Sequence, residues 1–345
     1  MVQALFLGVS AKDRAEAPEL WFLRLHQASG LPPWAFGLLT AAVVFGAVSA
    51  PMAYASLSPL DELDLLASAA FFATSLGFLF GAAPIIFPAA VRDLERLEPI
   101  LDEDPARFRI LHRALLRMPT RVCVVQGLLG AALGSAHATL IFGPGALGVA
   151  LPPALGTLCL WIMMFQIAAP MLGNARLFDE LGRSVTPDLL LPHRLHAFGA
   201  TALRPTLFMI GLQCTYPILA LGPGDGLAAE NYIGLAVAFS LVVGLFFVPL
   251  RGVRSQLRQS RDEALQTLDA RIAALAEGRG MFDAQTSDEA LARAEHLLTL
   301  RARIASVSSW PLGLAGLRRV ALYVILPPLT WAAAALVERL VDRSL

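Results

Sequence analysis

Seven side chains in two apolar stretches carry the chemistry that this sequence could do inside a membrane. Gln213, Thr215 and Tyr216 lie in Gln213-Cys-Thr-Tyr216-Pro217, where the proline frees a backbone carbonyl mid-stretch. An amide and two hydroxyls there could line a substrate or water-filled path; the plainer reading is hydrogen bonding between helices. Tyr323, Pro327, Pro328 and Thr330 lie in Tyr323-Val-Ile-Leu-Pro327-Pro328-Leu-Thr330-Trp331. Two adjacent prolines remove two helix donors and clash with the preceding turn, so the carbonyls near Tyr323 and Val324 need other partners. Broken helices at membrane depth are tolerated where they are buried in protein or line a wet cavity. The alternative is a packing kink. These seven residues are the candidate pore- or path-lining set.

Catalytic, metal and cofactor chemistry is not expected. His193-Arg-Leu-His196, with Asp188 nearby, spaces two imidazoles at i, i+3 but offers no third ligand. His137 is the one ionisable residue within an apolar stretch, and it reads as a packing residue. A b-type haem needs two facing axial ligands, and the sole lysine, Lys12, lies outside any span, which excludes a retinal Schiff base. No Walker, HExxH or GxSxG pattern occurs. Asp102-Glu-Asp104 precedes a proline and reads as a solvated helix cap. The three cysteines, Cys123, Cys159 and Cys214, are far apart in apolar stretches and predict buried thiols, not disulfides.

The elements that must hold these residues are transmembrane helices. The chain is 56% hydrophobic and 16% charged, with a mean hydropathy of +0.62, whereas soluble domains are about one quarter charged. A spanning helix needs about 20 mainly apolar residues. Seven stretches qualify: 34–55, 65–90, 122–142, 146–170, 205–222, 231–250 and 320–337. Residues 122–175 form one uncharged run that Gly143-Pro144-Gly145 splits into a hairpin, and Gly222-Pro-Gly-Asp-Gly226 separates the fifth and sixth spans. Gly77-xxx-Gly81 and Gly130-xxx-Gly134 predict close helix crossings within the chain.

Of 27 Lys and Arg, 25 fall before the first span or in the connections 91–121, 171–204 and 251–319; only Arg339 and Arg343 lie on the other side. The positive-inside rule therefore predicts a cytoplasmic N-terminus and an external C-terminus, in a cell membrane of bacterial inner-membrane type. The short apolar Met1–Ser10 has no preceding basic residue, so no cleavable signal is expected. Pro18–His26 predicts an interfacial helix with Trp21 at headgroup level.

The expected organisation is an N-terminal cytoplasmic or interfacial segment (1–33), a six-helix membrane bundle (34–250), a cytoplasmic helical hairpin (251–309), and an interfacial re-entry with the seventh helix (310–345). In the hairpin, Val253, Leu257, Ala264, Leu268, Ile272 and Leu275 recur at helical spacing, Gly278-Arg-Gly280 breaks the pattern, and Thr286-Ser-Asp-Glu289 is a capping box. Span six is expected to run unbroken into the hairpin, and the cytoplasmic connections to form a helical layer. The fold class is all-α, a polytopic helical membrane bundle.

The C-terminal third resembles a family of uncharacterised prokaryotic polytopic membrane proteins. The residues that carry this are Pro249-Leu-Arg251-Gly252-Val253, Trp310-Pro311, Leu326-Pro327-Pro328-Leu-Thr330-Trp331 and Val337-Glu-Arg-Leu-Val-Asp342. The layout of seven spans, inside N-terminus and cytoplasmic helical extensions is similar to insect odorant and gustatory receptor channels, where the last helix lines the pore of a tetramer. That family's last helix has Thr-Tyr, five apolar residues, then Gln-Phe; here Thr330-Trp331 is followed by Val337-Glu338.

The expected function is a homo-oligomeric channel or gated pore with a proline-broken last helix. The alternatives are a membrane scaffold or sensor subunit with a cytoplasmic protein partner, or a secondary transporter. Against the transporter stand the lack of an internal repeat and of an intramembrane carboxylate to couple an ion. The expected surroundings are the lipid bilayer and copies of the same chain, and a zero net charge gives no reason to expect nucleic acid.

Overall fold

Prolines and short oxygen-bearing side chains start most of the helices. The computed structural model describes residues 10–101, 104–145, 147–221, 231–278, 288–308, 310, 318 and 322. Helix α1 (Ala11–Glu16) is capped by the Ser10 hydroxyl, which accepts from Asp13 N–H. Helix α2 (Trp21–Ser29) ends at Gly30, whose φ of 65° only glycine adopts cheaply. Helix α3 (Pro33–Ser49) opens on a proline and closes in a 3-10 turn, Ala50–Ala53. Helix α4 (Pro59–Leu97) starts with a capping box between Ser58 and Asp61. Asp104 caps α5 (Pro105–Ala114) through Ala106 N–H, as expected of that acidic cluster, whose other two members lie outside the described residues.

Helices α6 (Thr120–Phe142) and α7 (Leu151–Ser184) form the expected hairpin. Gly143 and Gly145 turn it with φ of 77° and 78°. Gly143-Pro-Gly145-Ala-Leu-Gly148 has the spacing of a dinucleotide-binding turn, but it follows a helix instead of a strand and serves as a connection. Helix α8 (His196–Gln213) leads into a 3-10 turn, Tyr216–Leu221. Helix α9 (Asn231–Gly278) and helix α10 (Asp288–Ala305) complete the described fold. Among the described residues there is no β-strand, only an isolated bridge between Glu19 and Arg117.

The fold is an all-α membrane bundle. Among the described residues, five segments are long and apolar enough to cross a bilayer: Pro33–Ala53, Pro59–Ile100, Thr120–Phe142, Gly148–Ser184 and Ala236–Leu275. Outward-facing Leu38, Val43, Leu128 and Leu140 on α3 and α6 are exposed apolar side chains that lipid accepts and water penalises. The free thiol of Cys159 is exposed on this outer face too, so it is not the buried hydrophobe its sequence context predicts. Both GxxxG pairs work inside the chain. A Cβ on Gly37 would stand 2.7 Å from Gly77 O and 3.0 Å from Gly81 Cα, and one on Gly130 would stand 2.7 Å from Ile162 Cα. These contacts bring α3 onto α4 and α6 onto α7 backbone to backbone.

Two segments differ from their sequence expectation. Pro18-Glu19-Leu20 is extended, and α2 begins at Trp21. Leu20, Phe22 and Leu23 are buried in the bundle core, so one face of this segment packs against the bundle. The fifth expected span, 205–222, instead has its helix at His196–Gln213, starting nine residues earlier and breaking before Tyr216. The expected seventh span, 320–337, lies outside the described residues except Leu322; so do Gly222–Gly226, Arg279, Gly280 and Thr286.

Helices α4, α7 and α9 are 39, 34 and 48 residues long, well beyond the roughly 20 that a bilayer needs. Their overhangs meet at the Arg-rich end around a second core of Leu94, Leu97, Leu115, Phe178, Phe198 and Val253. The expected helical layer is therefore present and has its own apolar interior, distinct from the bundle core of Phe22, Phe87, Ile167, Met209 and Leu245.

Candidate functional site

Arg14, on the short α1, reaches into the junction between bundle and layer and is only 3% exposed. Its Nη2 donates to Asn174 Oδ1 on α7 (2.6 Å) and its Nε to the Arg117 carbonyl (3.2 Å). Asn174 in turn donates to the Leu115 carbonyl (3.1 Å). Arg117 donates back to the carbonyls of Ala15 and Ala17, while Leu20 N–H and Met118 N–H complete a backbone seam with Leu116 and Pro18. Gly173 leaves the space for Arg14, since a Cβ there would stand 3.0 Å from Nη1. Burial pushes the Arg14 guanidinium down to about 10, so it remains a cation at neutral pH.

Arg14 forms part of the wall of a cavity of about 340 Å³ between α1, α6, α7 and α9. Arg176, Asp179, Glu180 and Arg183 come from α7, Arg251 from α9, and Gln126 from α6. A close crossing fixes this wall. A Cβ on Gly252 would overlap the Asp179 carbonyl, and one on Gly182 would lie 2.6 Å from Val253 N. Asp179 Oδ2 accepts from Arg183 (2.6 Å), but Asp179 Oδ1 and Gln126 Oε1 are buried without a hydrogen-bond partner.

A second buried charge lies nearby on α4. Asp93 is fully buried and accepts from Arg204 of α8 and from Arg96. This ion pair lets α8 begin inside the layer.

Of the seven candidate path-lining residues, Gln213, Thr215 and Tyr216 are described and come together where α8 breaks. The Thr215 hydroxyl donates to the Leu212 carbonyl (2.7 Å), which leaves Ser75 of α4 to donate to Thr215 Oγ1 (2.8 Å). Tyr216 packs edge-on against Phe71, and Gly234 makes room for its hydroxyl, because a Cβ there would stand 2.6 Å from it. Gln213 is buried with Nε2 unpartnered. Tyr323, Pro327, Pro328 and Thr330 lie outside the described residues.

His137 accepts from Trp161 Nε1 (2.9 Å), a packing role of the kind expected. Trp21 donates to Gln166 Oε1 (3.2 Å), and Gln166 Nε2 donates to the Cys123 carbonyl (2.6 Å), so the amide joins α2 to the α6–α7 hairpin. Among the described residues, no group of three His, Cys, Asp or Glu is placed to hold a metal.

Sequence reasoning missed the Arg14 cavity because it counted Arg14, Arg176, Arg183 and Arg251 only as topology signals. The clue present was Gly173-Asn174 at the end of the uncharged run, a small residue beside a polar one with no local partner. No protein-family profile, curated protein or solved structure matches the chain.

Proposed function

We propose that the protein is a gated membrane pore assembled from several copies of this chain and controlled from its Arg-rich end, which faces the cytoplasm of a bacterial cell. The observation that carries this reading is the continuity of α9, which runs from the bundle past Arg251 at the cavity into the hairpin without a break. Any rearrangement of the layer is thereby passed to the membrane segment. The interior of one bundle is filled by Phe87, Ile167, Met209 and Leu79, so the conducting path belongs where copies meet, with the proline-broken stretch around Pro327, Pro328 and Thr330 lining it. Single-channel recording of purified protein in planar bilayers tests this. Unitary currents altered by replacing Pro327 and Pro328 with alanine are expected. Silence across ions and voltages from a protein that sizes as a monomer would end the reading.

A second reading, a sensor or scaffold subunit with a cytoplasmic partner, draws on the hairpin. Helices α9 and α10 flank an open groove of about 650 Å³ lined by Arg271, Ala274, Leu275, Ala292, His296 and Leu297. A stoichiometric soluble partner that is lost on Leu275→Glu would favour it over conduction.

A further inference from the structure

The cavity between α1, α6, α7 and α9 is lined by four arginines, Arg14, Arg176, Arg183 and Arg251, against two acids, Asp179 and Glu180. Its wall therefore carries an excess of two positive charges. Two of the cations are already committed. Arg183 donates to Asp179 Oδ2, and Arg14 is held by Asn174 and the Arg117 carbonyl. Among the described residues, Arg176 and Arg251 make neither a hydrogen bond nor an ion pair, although Glu180 lines the same cavity. They come from different helices, α7 and α9, whose crossing is fixed by the close approach at Gly182 and Gly252. Two unanswered guanidinium groups are thus presented to one space by rigid elements. The unpartnered oxygens Asp179 Oδ1 and Gln126 Oε1 have almost no accessible surface, so they present no acceptor to the cavity.

A cationic occupant would add to the charge excess and a neutral one would leave it. An anion removes it, and the planar forks of guanidinium groups match phosphate oxygens in both charge and shape. A single negative charge balances half of the excess, whereas a phosphate monoester, close to a dianion at neutral pH, balances nearly all of it. We propose that this cavity binds a dianionic phosphate group of the phosphate-monoester class. Arg176 and Arg251 hold its oxygens from α7 and α9, and Arg14 supplies buried positive charge from α1. The volume, about 340 Å³, is at the small end of ligand cavities, in keeping with a phosphate-sized headgroup. The cavity lies where α6 and α7 leave their apolar spans, the level at which basic pockets between helices meet lipid headgroups. The same chemistry can therefore arrive as the headgroup of phosphatidic acid or as free phosphate.

The inference does not depend on conduction and is tested by binding alone. Full-length protein, stripped of lipid in detergent, is titrated calorimetrically at mildly alkaline pH with inorganic phosphate, there a dianion, and with dimethyl phosphate, a monoanion. In parallel, protein from phosphatidylcholine nanodiscs doped with phosphatidic acid or phosphatidylglycerol is examined by native mass spectrometry for retained lipid. The dianionic probe is expected to win by about tenfold or more, the ratio for one charge-assisted hydrogen bond. A preference in the titration marks a free ligand, and one confined to retained lipid marks a headgroup. Arg176→Gln and Arg251→Gln are each expected to weaken the preferred probe about tenfold. Glu180→Gln removes a competing negative charge at an exposed position and is expected to strengthen it about threefold or more. Arg258→Gln, on α9 but outside the cavity lining, is expected to change nothing. Equal behaviour of monoanionic and dianionic probes in both arms overturns the proposal. So does a preference untouched by Arg176→Gln and Arg251→Gln in proteins that elute as wild type, or one that Glu180→Gln fails to raise.

Discussion

Arg14 Nη2 and Asn174 Oδ1 stand 2.6 Å apart although 160 residues separate them in sequence. The contact closes the N-terminal segment over the base of the bundle, and both partners are almost wholly buried. Removing either leaves the other without its partner in a low-dielectric setting. Arg14→Leu and Asn174→Leu should each lower stability by about 1–3 kcal/mol. The double variant should lose less than the two singles together, because it leaves neither group stranded. Thermal unfolding in detergent, arranged as a double-mutant cycle, measures this.

The crossing of α7 and α9 is set by two glycines and should be intolerant of a single methyl. Gly252→Ala puts a carbon into the Asp179 carbonyl, a clash that only backbone movement can relieve. Gly244→Ala meets nothing within 4 Å and should be neutral or stabilising by up to about 1 kcal/mol through helix propensity. Size-exclusion profiles and melting temperatures of the two variants should diverge sharply.

Gln166 holds Trp21 Nε1 on one side and the Cys123 carbonyl on the other. Gln166→Leu keeps the volume and strands both, at a cost of about 1–3 kcal/mol. Hydrogen exchange should rise first across Trp21–Ser29, since α2 loses its polar tie to the hairpin.

The orientation inferred from arginine placement has a direct test. In a background free of the three native cysteines, Ser56→Cys and Leu147→Cys, both at exposed positions in turns between spans, should react with an impermeant maleimide on intact cells. Arg107→Cys and Gln259→Cys should react only after permeabilisation. The opposite pattern would invert the topology and place the Arg-lined cavity outside.

The spans bounded by turn chemistry were the readable part. Gly143-Pro-Gly145 ends α6 where its sequence says, and Ser58 and Asp104 cap their helices as short oxygen-bearing side chains do. Helix α9 runs unbroken into the hairpin as its periodicity implies. What escaped notice depends on partners distant in sequence. Arg204 and Pro205 look like the edge of a span, yet α8 begins at His196. Asp93, 111 residues away, takes the Arg204 charge, so the helix continues through a cation that would otherwise mark its limit. The tie from Trp21 to Gln166 is equally hidden, because the acceptor lies 145 residues away on another helix. The cavity is hidden for the same reason: its walls come from α1, α6, α7 and α9, which are far apart in sequence.

The close approach at Gly182 and Gly252 also divides α9 mechanically. With a rise of about 1.5 Å per residue, about 32 Å of helix lies on the Asn231 side of Gly252 and about 39 Å on the Gly278 side. Pro249, which interrupts the bond ladder three residues earlier, sits beside this fulcrum. A rotation of about 10° there would swing each end by about 6 Å in opposite directions. A see-saw of that span needs no large distortion at the pivot, and its pivot is the wall that carries Arg251.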